Sequence, residues 1–353
     1  MERIKSEKNK MIVVLGMHRS GTSVITRGLQ ALGVNLGNEL LPPQEDNVTG
    51  FWEDVDLNAL NIEMLHFLNQ DWHFLTPIQQ SDMNELRKAG YLLKATDLLK
   101  KKTSNVPIFG FKDPRVAKLL PFWKEVFAEN RLQVGYVISI RHPLSVCKSL
   151  EKRHGFDFEK SSLLWLEHVI NSLADTEGEK RVLVDYDHLM QSPETTLQRI
   201  AKLLQLQINI LELDKFKNEF LNEALRHTMY PYEDLMLEKS IGSLAGEIYS
   251  TLIVNNQGMK LEGIKIKKKI TQWKKEYAKT AAALTFIDKL NLRIENIVTG
   301  NIKREQALVE RISEQDTQIQ KLTNQLNEIE GSKAWQIVMF LRRIRIWLTP
   351  SRT

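Results

Sequence analysis

Cysteine is almost absent from this sequence, which has Cys147 as its single cysteine among 353 residues. One cysteine cannot form a disulfide within the chain, and no cysteine/histidine cluster with zinc-ligand spacing is present. These absences exclude a disulfide-rich scaffold and a zinc-binding module of the usual kind. They also suit a reducing compartment.

Long apolar runs are missing as well. No stretch approaches the roughly 20 apolar residues that a membrane-spanning helix needs. The charged N-terminal tail, residues 1–10, is followed by an apolar run that is too short for the core of a signal peptide and ends at His18-Arg19. We therefore expect a cytoplasmic protein.

Charge of one sign is only slightly in excess. The chain has 49 Lys and Arg against 44 Asp and Glu, a net charge of +5. This balance suits small anionic ligands, and the absence of RNA-binding signatures and repeats gives no reason to expect a nucleic acid partner. Because 42% of the residues are hydrophobic, the chain can bury a large core, which predicts one large domain with appendages.

Short apolar runs alternate with segments of helical periodicity. The strand-like runs are Met11–Leu15, Val106–Phe111, Val134–Ile140 and Arg181–Asp185, and the helical segments are Leu57–Leu68, Asn84–Lys101, Ala117–Ala128, Leu163–Ala174 and Glu194–Leu204. This alternation predicts an α/β fold with a parallel sheet flanked by helices. A ligand should then bind at the carboxyl ends of the strands, where Gly16, Lys112, Arg141 and Tyr186 lie.

The first strand runs into Gly16-Met-His-Arg-Ser-Gly-Thr-Ser23, and a helix-compatible segment follows. A strand, a glycine-bounded turn and a helix N-terminus form an anion site, because backbone N–H groups and the helix dipole favour negative charge. The spacing is that of a nucleotide P-loop, but Thr22 stands where the lysine belongs. The positive charge lies inside the loop, at Arg19. We interpret this P-loop-like turn as a cradle for a phosphate ester other than the ATP β/γ-phosphates.

The loop resembles the 5′-phosphosulfate loop of sulfotransferases that use 3′-phosphoadenosine-5′-phosphosulfate (PAPS). Members of that superfamily carry Pro-Lys-Ser-Gly-Thr or Pro-Arg-Ser-Gly-Thr where this chain has His18-Arg-Ser-Gly-Thr22. The resemblance implies PAPS as co-substrate, without a metal. It assigns the 5′-phosphosulfate to His18, Arg19, Ser20, Gly21, Thr22 and Ser23.

The same resemblance extends to the other end of the donor. Arg141 ends the third strand and Ser149 follows eight residues later, as in the family's 3′-phosphate site. An arginine and a hydroxyl can both donate hydrogen bonds to a phosphate. Arg226, in Leu225-Arg-His227, is a further candidate for closing over that phosphate. The alternatives are a surface ion pair for Arg141, a solvated helix position for Ser149 and an ordinary surface arginine for Arg226.

Further segments are similar to a bacterial branch of the superfamily, whose members often begin the loop Gly-Met-His-Arg-Ser-Gly-Thr-Ser. They are Gly50-Phe-Trp-Glu53, Gly110-Phe-Lys-Asp-Pro-Arg115 with Trp123 downstream, and Val184–Leu189 followed by Pro193. With the loop and the 3′-phosphate candidates, the similarity covers residues 11–228. It says little about the acceptor, because members of the superfamily sulfate sugars, proteins, lipids and small molecules.

Sulfuryl transfer needs cations at the leaving oxygen and a base for the acceptor hydroxyl. Arg19 is the first candidate for the cation and Lys112 the second. Related sulfotransferases use a glutamate after the first loop helix, which here implies Glu53 as the base. Asp113 and Glu39 are the rivals, and Asp113 is equally suited to orienting Lys112. A helix-start carboxylate is the alternative for Glu53.

The last third of the chain differs from the rest. We divide it into a helical extension with a lysine-rich segment (231–300), a short coiled coil (301–331) and a basic amphipathic tail (332–353), following a catalytic domain at 11–230. The coiled-coil seam comprises Leu308, Ile312, Ile319, Leu322, Leu326 and Ile329, with Gln315 in the gap. One helix folded back on the catalytic domain is the alternative.

The tail places Ile337, Phe340, Leu341, Ile344 and Leu348 along one face, flanked by Arg342, Arg343 and Arg345. This pattern is typical of a helix at an anionic membrane surface, here the inner face of the membrane, although docking on a partner subunit fits as well. Similar tails occur on bacterial enzymes that build surface polysaccharides.

From the sequence we expect a PAPS-dependent sulfotransferase that acts on a hydroxyl group of a carbohydrate or glycolipid precursor, in a homo-oligomer with peripheral membrane contact. A P-loop kinase and a non-catalytic nucleotide-binding scaffold are the alternatives. Thr22 at the lysine position argues against the kinase. The candidate sites at both ends of the donor argue against the scaffold.

Overall fold

The computed structural model describes residues 9–44, 47, 50–221, 242–253, 261 and 263–348. Its sheet has four parallel strands in the order β2-β1-β3-β4: β1 (Lys10–Leu15), β2 (Ile108–Lys112), β3 (Gln133–Ile140) and β4 (Lys180–Asp185). Val14 of β1 pairs with Lys112, and Ile140 of β3 pairs with Asp185, so the carboxyl ends meet at one edge. The predicted α/β fold with a parallel sheet is confirmed.

Helices connect and cover the strands. They are α1 (Thr22–Gln30), α2 (Val55–Phe67), α3 (Gln80–Lys88), α4 (Tyr91–Thr103), α5 (Val116–Glu129), α6 (Pro143–His154), α7 (Phe158–Asp175), α8 (Tyr186–Gln191), α9 (Pro193–Leu204), α10 (Ile210–Lys215) with a π-helical turn at Phe216–Phe220, α11 (Gly242–Ile253), α12 (Ile264–Ala278), α13 (Ala281–Gly331) and α14 (Lys333–Leu348).

The central strand β1 is buried on both faces of the sheet. Met11, Val13 and Leu15 pack into a cluster with α2, α4 and α5, whereas Ile12 and Val14 pack into a second cluster with α1 and α9. All five side chains are fully enclosed. Since parallel strands between two helical layers read as continuous apolar runs, the sequence pattern of β1 follows from this position.

The expectation of one helix over Asn84–Lys101 is wrong, because two helices occupy this stretch. α3 ends at Lys88, and α4 begins at Tyr91. Gly90 lies between them with φ of 86°, in the left-handed region that glycine adopts at little cost. The apolar spacing continues across the break, which is why periodicity alone did not reveal it.

Helices α11 and α12 add to the core on the α7 side of the sheet. Ile248 of α11 and Ile266, Ile270 and Trp273 of α12 join a buried cluster with residues of α6 and α7. The chain divides into two units, Met1–Asp288 and Lys289–Thr353. The lysine-rich stretch therefore includes a helix that buries one face in the core of the first unit.

In the second unit, α13 continues to Gly331, and α14 begins after Ser332. The predicted seam side chains of α13 are each 55–60% exposed: Leu308, Ile312, Ile319, Leu322, Leu326 and Ile329. Among the described residues, no helix is both long enough and apolar enough to cross a membrane.

Candidate active site

The backbone of the loop between β1 and α1 needs glycine at two positions, Gly16 and Gly21, because a Cβ at either one would clash. A Cβ on Gly16 would lie 2.6 Å from the Ser139 carbonyl oxygen, and one on Gly21 would lie 2.1 Å from Cδ2 of Tyr186. Gly21 is the N-cap of α1 with φ of 82°, and it brings no side chain to the helix N-terminus. No acidic residue occupies the first turn of α1. The N-terminus of this nine-residue helix therefore suits an anion.

The remaining loop residues lie at the same helix N-terminus. Ser139 Oγ donates a hydrogen bond of 2.6 Å to the Ser20 carbonyl, which ties the loop to β3. Ser20 and Thr22 are buried, and Ser20 Oγ has no hydrogen-bond partner among the described residues. Thr22 and Ser23 open α1, as the P-loop-like spacing predicts.

The candidate residues for the 3′-phosphate lie beside this loop. Arg141, at the end of β3, donates from NH1 to the Arg19 carbonyl (3.2 Å) and stacks 4.6 Å above the Tyr186 ring. Its Nε is enclosed without a hydrogen-bond partner among the described residues. Ser149 of α6 accepts a 2.8 Å hydrogen bond from Arg19 Nε. The structure thus brings Arg19, Arg141 and Ser149 together, and sequence reasoning had not anticipated the Arg19–Ser149 contact.

A buried lysine and glutamate lie on the other side of the loop. Lys112 Nζ, at the end of β2, is 2.7 Å from Glu53 Oε1 and donates to Ser23 Oγ at 3.3 Å. Asn58 of α2 donates to Glu53 Oε2 at 2.7 Å. Because Ser23 belongs to the first turn of α1, this cluster connects the candidate base directly to the anion site.

The backbone just before Glu53 is unusual. Trp52 has φ of 59°, in the left-handed region that bulky side chains rarely adopt. Arg27 of α1 stacks 5.7 Å over the Trp52 ring, and the edge of Phe220 meets the same ring at 5.8 Å. These contacts hold Trp52 while the chain turns Glu53 inward toward Lys112.

Burial raises the pKa of the Glu53 carboxyl above its ordinary value of 4.5, and the nearby Asp113 adds to the rise. Lys112 acts in the opposite direction because it stabilises the ionised form. A carboxylate with a raised pKa is a stronger proton acceptor when ionised, which suits a general base.

Asp113 is held by hydrogen bonds from three side chains. Oδ1 accepts from Arg115 NH1 at 3.1 Å, and Oδ2 accepts from the amides of Asn58 (3.2 Å) and Asn61 (3.0 Å). Trp123 Nε1 fixes Asn61 with a 2.8 Å hydrogen bond to its Oδ1. Asn58 and Asn61 were not identified from the sequence, although two amides three residues apart on the buried face of α2 were a readable signal.

A cavity of about 190 Å³ opens beside the Lys112–Glu53 pair. Glu53 lies in its wall, whereas Asp113 does not. Glu39 is not part of the wall either; its side chain is 72% exposed and lies 3.7 Å from Lys102. The wall residues are His18, Leu41, Pro42, Gln44, Phe51, Glu53, Asn58, Arg115 and Arg153.

His18 lies in the cavity wall although it belongs to the phosphate loop. Its ring packs against Trp72 with centroids 4.3 Å apart, and the edge of His168 is 6.4 Å away. Burial is the main cause that lowers the pKa of His18 well below 6.5, and the positive charge of Arg115 lowers it further. The imidazole is therefore neutral near pH 7.

Arg226, the further sequence candidate for the 3′-phosphate site, lies outside the described residues. In the described part of the chain, no group of three or more His, Cys, Asp or Glu side chains could hold a metal ion.

The parallel sheet, the glycine-bounded loop at a helix N-terminus and the arginine at the end of β3 define a P-loop-like phosphate-ester site. A model of the sulfotransferase family matches residues 11–209, more than half of the chain. The chain belongs to the sulfotransferase family. This membership confirms the enzyme class expected from the sequence, a sulfotransferase, and the PAPS donor that goes with the family.

Solved structures with a similar fold include three sulfotransferases. The sulfotransferase domain of the Synechococcus PCC 7002 olefin synthase is 14% identical, with 77% of this chain and 96% of that chain covered and a TM-score of 0.37. The sulfotransferase domain from the curacin biosynthetic pathway is 19% identical, with 69% and 99% covered and a TM-score of 0.42. Sulfotransferase STF1 from Mycobacterium tuberculosis H37Rv is 13% identical, with 69% and 77% covered and a TM-score of 0.36. Curated protein sequences gave no significant match.

Proposed function

We propose that this sulfotransferase moves the sulfuryl group of PAPS to a hydroxyl group of a carbohydrate or glycolipid precursor. The observation that carries the proposal is the position of Glu53. This buried carboxylate lies in a cavity wall, 2.7 Å from a lysine that also contacts the first turn of α1. A base, a cation and an anion site therefore adjoin one small cavity.

The residues around the phosphate loop fit the two ends of the donor. The N-terminus of α1 would hold the 5′-phosphosulfate, and Arg141 with Ser149 would hold the 3′-phosphate. The enclosed Nε of Arg141, which has no partner among the described residues, supports this assignment because a buried guanidinium nitrogen needs an acceptor. PAPS supplies an activated sulfuryl group whose sulfur–oxygen bond to phosphate breaks during transfer.

The acceptor hydroxyl attacks the sulfur in line with the leaving phosphate oxygen. Glu53 takes the hydroxyl proton, so the new oxygen–sulfur bond forms as the oxygen–hydrogen bond breaks. Arg19 and Lys112 stabilise the negative charge that develops on the leaving oxygen. Asp113 orients Arg115 and the amides of α2 and does not take the proton.

A sugar hydroxyl suits the cavity better than an apolar acceptor. Six of its wall residues have polar or charged side chains: His18, Gln44, Glu53, Asn58, Arg115 and Arg153. Phe51 adds an apolar ring, on which Arg153 stacks at 5.6 Å. Polar groups around one aromatic ring can satisfy the hydroxyl groups of a sugar while its carbon face packs on the ring.

The proposal is tested by incubating the full chain with radiolabelled PAPS and a panel of simple glycosides, simple phenols and a sterol. We expect label to pass to glycosides and adenosine 3′,5′-bisphosphate to be released in equal amount. Transfer to phenols or the sterol alone would contradict the carbohydrate acceptor. Phosphoryl transfer from ATP without sulfuryl transfer would favour the kinase alternative instead.

The 3′-phosphate assignment predicts which nucleotides bind. Adenosine 3′,5′-bisphosphate should raise the melting temperature without magnesium, and AMP should do so far less, because only the bisphosphate engages Arg141 and Ser149. Arg141→Ala should weaken bisphosphate binding by about 1.5–3 kcal/mol, roughly 10- to 150-fold, the range for hydrogen bonds to charged groups. Isothermal titration calorimetry measures this change.

The matched control for that variant is Arg153→Ala. Arg153 is also an arginine of the site, but it lies in the wall of the acceptor cavity. Its removal should leave bisphosphate affinity unchanged. Equal thermal shifts with AMP and the bisphosphate would show that the Arg141–Ser149 assignment is wrong.

We further propose that α13 holds two copies of the chain together in a parallel coiled coil. The seam side chains recur in alternating steps of four and three residues, and each is more than half exposed in the single chain. One helix can bury such a narrow apolar stripe against an identical partner. Gln315 lies within the seam, and a polar residue at such a position can fix the register.

Truncation after Gly300 should therefore produce a smaller oligomer that still binds adenosine 3′,5′-bisphosphate. The phosphate-site residues all precede Thr228, so their fold should survive the loss of the seam. Light scattering on both proteins gives the oligomeric state. An unchanged state would exclude the seam as the contact between copies.

The tail, α14, is proposed to bind an anionic membrane surface, so that the cytoplasmic enzyme is held at the membrane periphery. Lys333, Arg342, Arg343 and Arg345 give α14 four positive charges and no acidic residue. Its exposed Trp347 is 85% accessible, and the apolar face beside it is also exposed. Basic residues beside an exposed apolar face are the combination that binds anionic lipid.

Flotation with liposomes tests the tail. We expect binding to phosphatidylglycerol-containing vesicles at low salt, weaker binding at high salt, and none to vesicles of phosphatidylcholine. Changing Arg342, Arg343 and Arg345 to Ser should abolish the interaction. Absence of binding to anionic vesicles at low salt would contradict the membrane role.

A further inference from the structure

His18 occupies an unexpected place for a residue of the phosphate loop. Its side chain lies in the wall of the acceptor cavity together with Glu53, Asn58 and Arg115. The resemblance of the loop to the family's 5′-phosphosulfate loop predicted a contact of His18 with the donor, with a structural hydrogen-bonding role as the alternative. In the structure this side chain borders the cavity that we assign to the acceptor.

The ring of His18 is held in a fixed orientation. Trp72 packs on it at 4.3 Å, and His168 meets it edge-on at 6.4 Å. His168 is itself immobilised, because its Nδ1 donates a 2.8 Å hydrogen bond to the Leu164 carbonyl within α7. A ring that neighbours hold in this way is preorganised for a directional hydrogen bond.

The two nitrogens of His18 are considered separately. Nε2 is enclosed and has no hydrogen-bond partner among the described residues. His18 as a whole is only half-buried and lines the cavity. We assign the contact with a molecule in the cavity to the other ring nitrogen, Nδ1.

The surroundings of His18 keep it from acting as a charged group. Arg115, Lys112 and Arg153 surround the ring with positive charge, and together with burial they hold its pKa well below 6.5. A neutral imidazole with such a pKa is a poor proton acceptor in catalysis, and Glu53 already supplies a base in the same wall. The remaining role for the His18 imidazole is hydrogen bonding. A hydroxyl group can pair with either tautomer of the imidazole, because a hydroxyl both donates and accepts.

We propose that His18 recognises the acceptor by a hydrogen bond between its imidazole ring and a second hydroxyl group, next to the one that Glu53 deprotonates. The acceptor class is then a polyhydroxylated molecule, a sugar ring with neighbouring hydroxyls, and not a simple alcohol or phenol. This inference rests on the proposed sulfuryl transfer and specifies the substrate of that site. It assigns His18 a positioning role toward the acceptor.

The test compares His18→Phe, which keeps the ring and removes both nitrogens, with the wild-type chain. Methyl glycosides and their monodeoxy analogues serve as probe acceptors, with radiolabelled PAPS as donor. We expect His18→Phe to raise the KM for a methyl glycoside that the wild-type chain sulfates by about tenfold, the scale of one lost hydrogen bond. The kcat should change less than threefold. His18→Gln, which can still form a hydrogen bond, should recover much of the loss.

Deoxy analogues locate the partner hydroxyl. The wild-type chain should lose about tenfold in kcat/KM with the analogue that lacks this hydroxyl, whereas His18→Phe should lose nothing further, as expected for two groups that interact. His73→Phe is the matched control, because His73 belongs to the same ring cluster beside Trp72 but does not line the cavity. It should leave KM unchanged.

Two results at His18 would overturn the inference while leaving the proposed sulfation of a glycoside intact. If His18→Phe weakens adenosine 3′,5′-bisphosphate tenfold and leaves KM for the glycoside alone, His18 belongs to the donor site. If a change at His18 moves the acid limb of the pH–rate profile, the residue is a base. If the wild-type chain sulfates phenols and no glycoside, the proposed acceptor class itself fails, which is a different outcome.

Discussion

Glu53→Gln should lower turnover about a hundredfold or more and leave the affinity for adenosine 3′,5′-bisphosphate nearly unchanged. Removal of a positioned general base has effects of this size. The variant is close in shape, and the glutamine oxygen can still accept from Lys112, whose Nζ lies 2.7 Å from Glu53 Oε1. The glutamine NH2 group cannot accept the hydrogen bond that Asn58 donates to Glu53 Oε2, so unchanged bisphosphate affinity is the control that separates loss of proton transfer from a collapse of the site. Steady-state kinetics and calorimetry give the two quantities.

The pH profile provides an independent measure of the same role. A base must be ionised to work, so the rate should rise as the pH passes upward through the pKa of Glu53. Burial raises that pKa, so the acid limb should lie above 4.5, the ordinary glutamate value. In Glu53→Gln this limb should be missing from the residual activity.

Two other carboxylates serve as comparisons. Glu39→Gln should retain full activity, because Glu39 is exposed and lies outside the cavity wall. Asp113→Asn weakens hydrogen bonds to Arg115 and the α2 amides and should affect both stability and rate. A fully active Glu53→Gln beside a folded but inactive Asp113→Asn would show that the base is Asp113.

The sheet could be predicted because its strands carry their own signal. A run such as Val134–Ile140 is rich in β-branched residues and is buried on both faces, so the observed strand differs from the predicted one by a single residue. The carboxyl ends of parallel strands lie at the same edge of a sheet, so the position of the charged residues at the strand ends could also be predicted. Lys112 and Arg141 accordingly lie at the same edge of the sheet.

The packing of α12 was harder to foresee. Its many lysines are typical of a solvated helix face, yet Ile266, Ile270, Trp273 and Tyr277 lie on a buried stripe of the same helix. These four apolar residues recur at helical spacing in the sequence. Charged residues on the outer face obscured it, because they are more numerous than the buried ones.

Contacts within the site depend on tertiary structure that no local pattern encodes. Lys112 and Glu53 are 59 positions apart and meet at 2.7 Å, and Trp52, just before Glu53, takes a left-handed conformation. Likewise, the motif that contains His18 placed the residue beside the donor, but the direction of its side chain depends on Trp72 packing against it. Sequence motifs identified the residues, and packing decided what each one faces.

Arg19→Ala should lower turnover about 100- to 1000-fold, the cost of losing one donor at an oxygen that gains charge in the transition state. Binding of the bisphosphate product should weaken much less, since Arg19 is assigned to charge that develops during transfer. Arg19 lies in the turn between β1 and α1 with φ of 68°, and its Nε donates a 2.8 Å hydrogen bond to Ser149 Oγ.

Ser149→Ala separates the charge of Arg19 from its orientation. This variant removes the hydrogen bond that holds the guanidinium and keeps the positive charge, so we expect a smaller loss of turnover than in Arg19→Ala. Arg19→Lys keeps the charge without the planar donor group and should fall between the two. If Arg19→Ala instead loses affinity for adenosine 3′,5′-bisphosphate and leaves turnover unchanged, Arg19 binds the donor equally in ground and transition states, and Lys112 is left as the cation at the leaving oxygen.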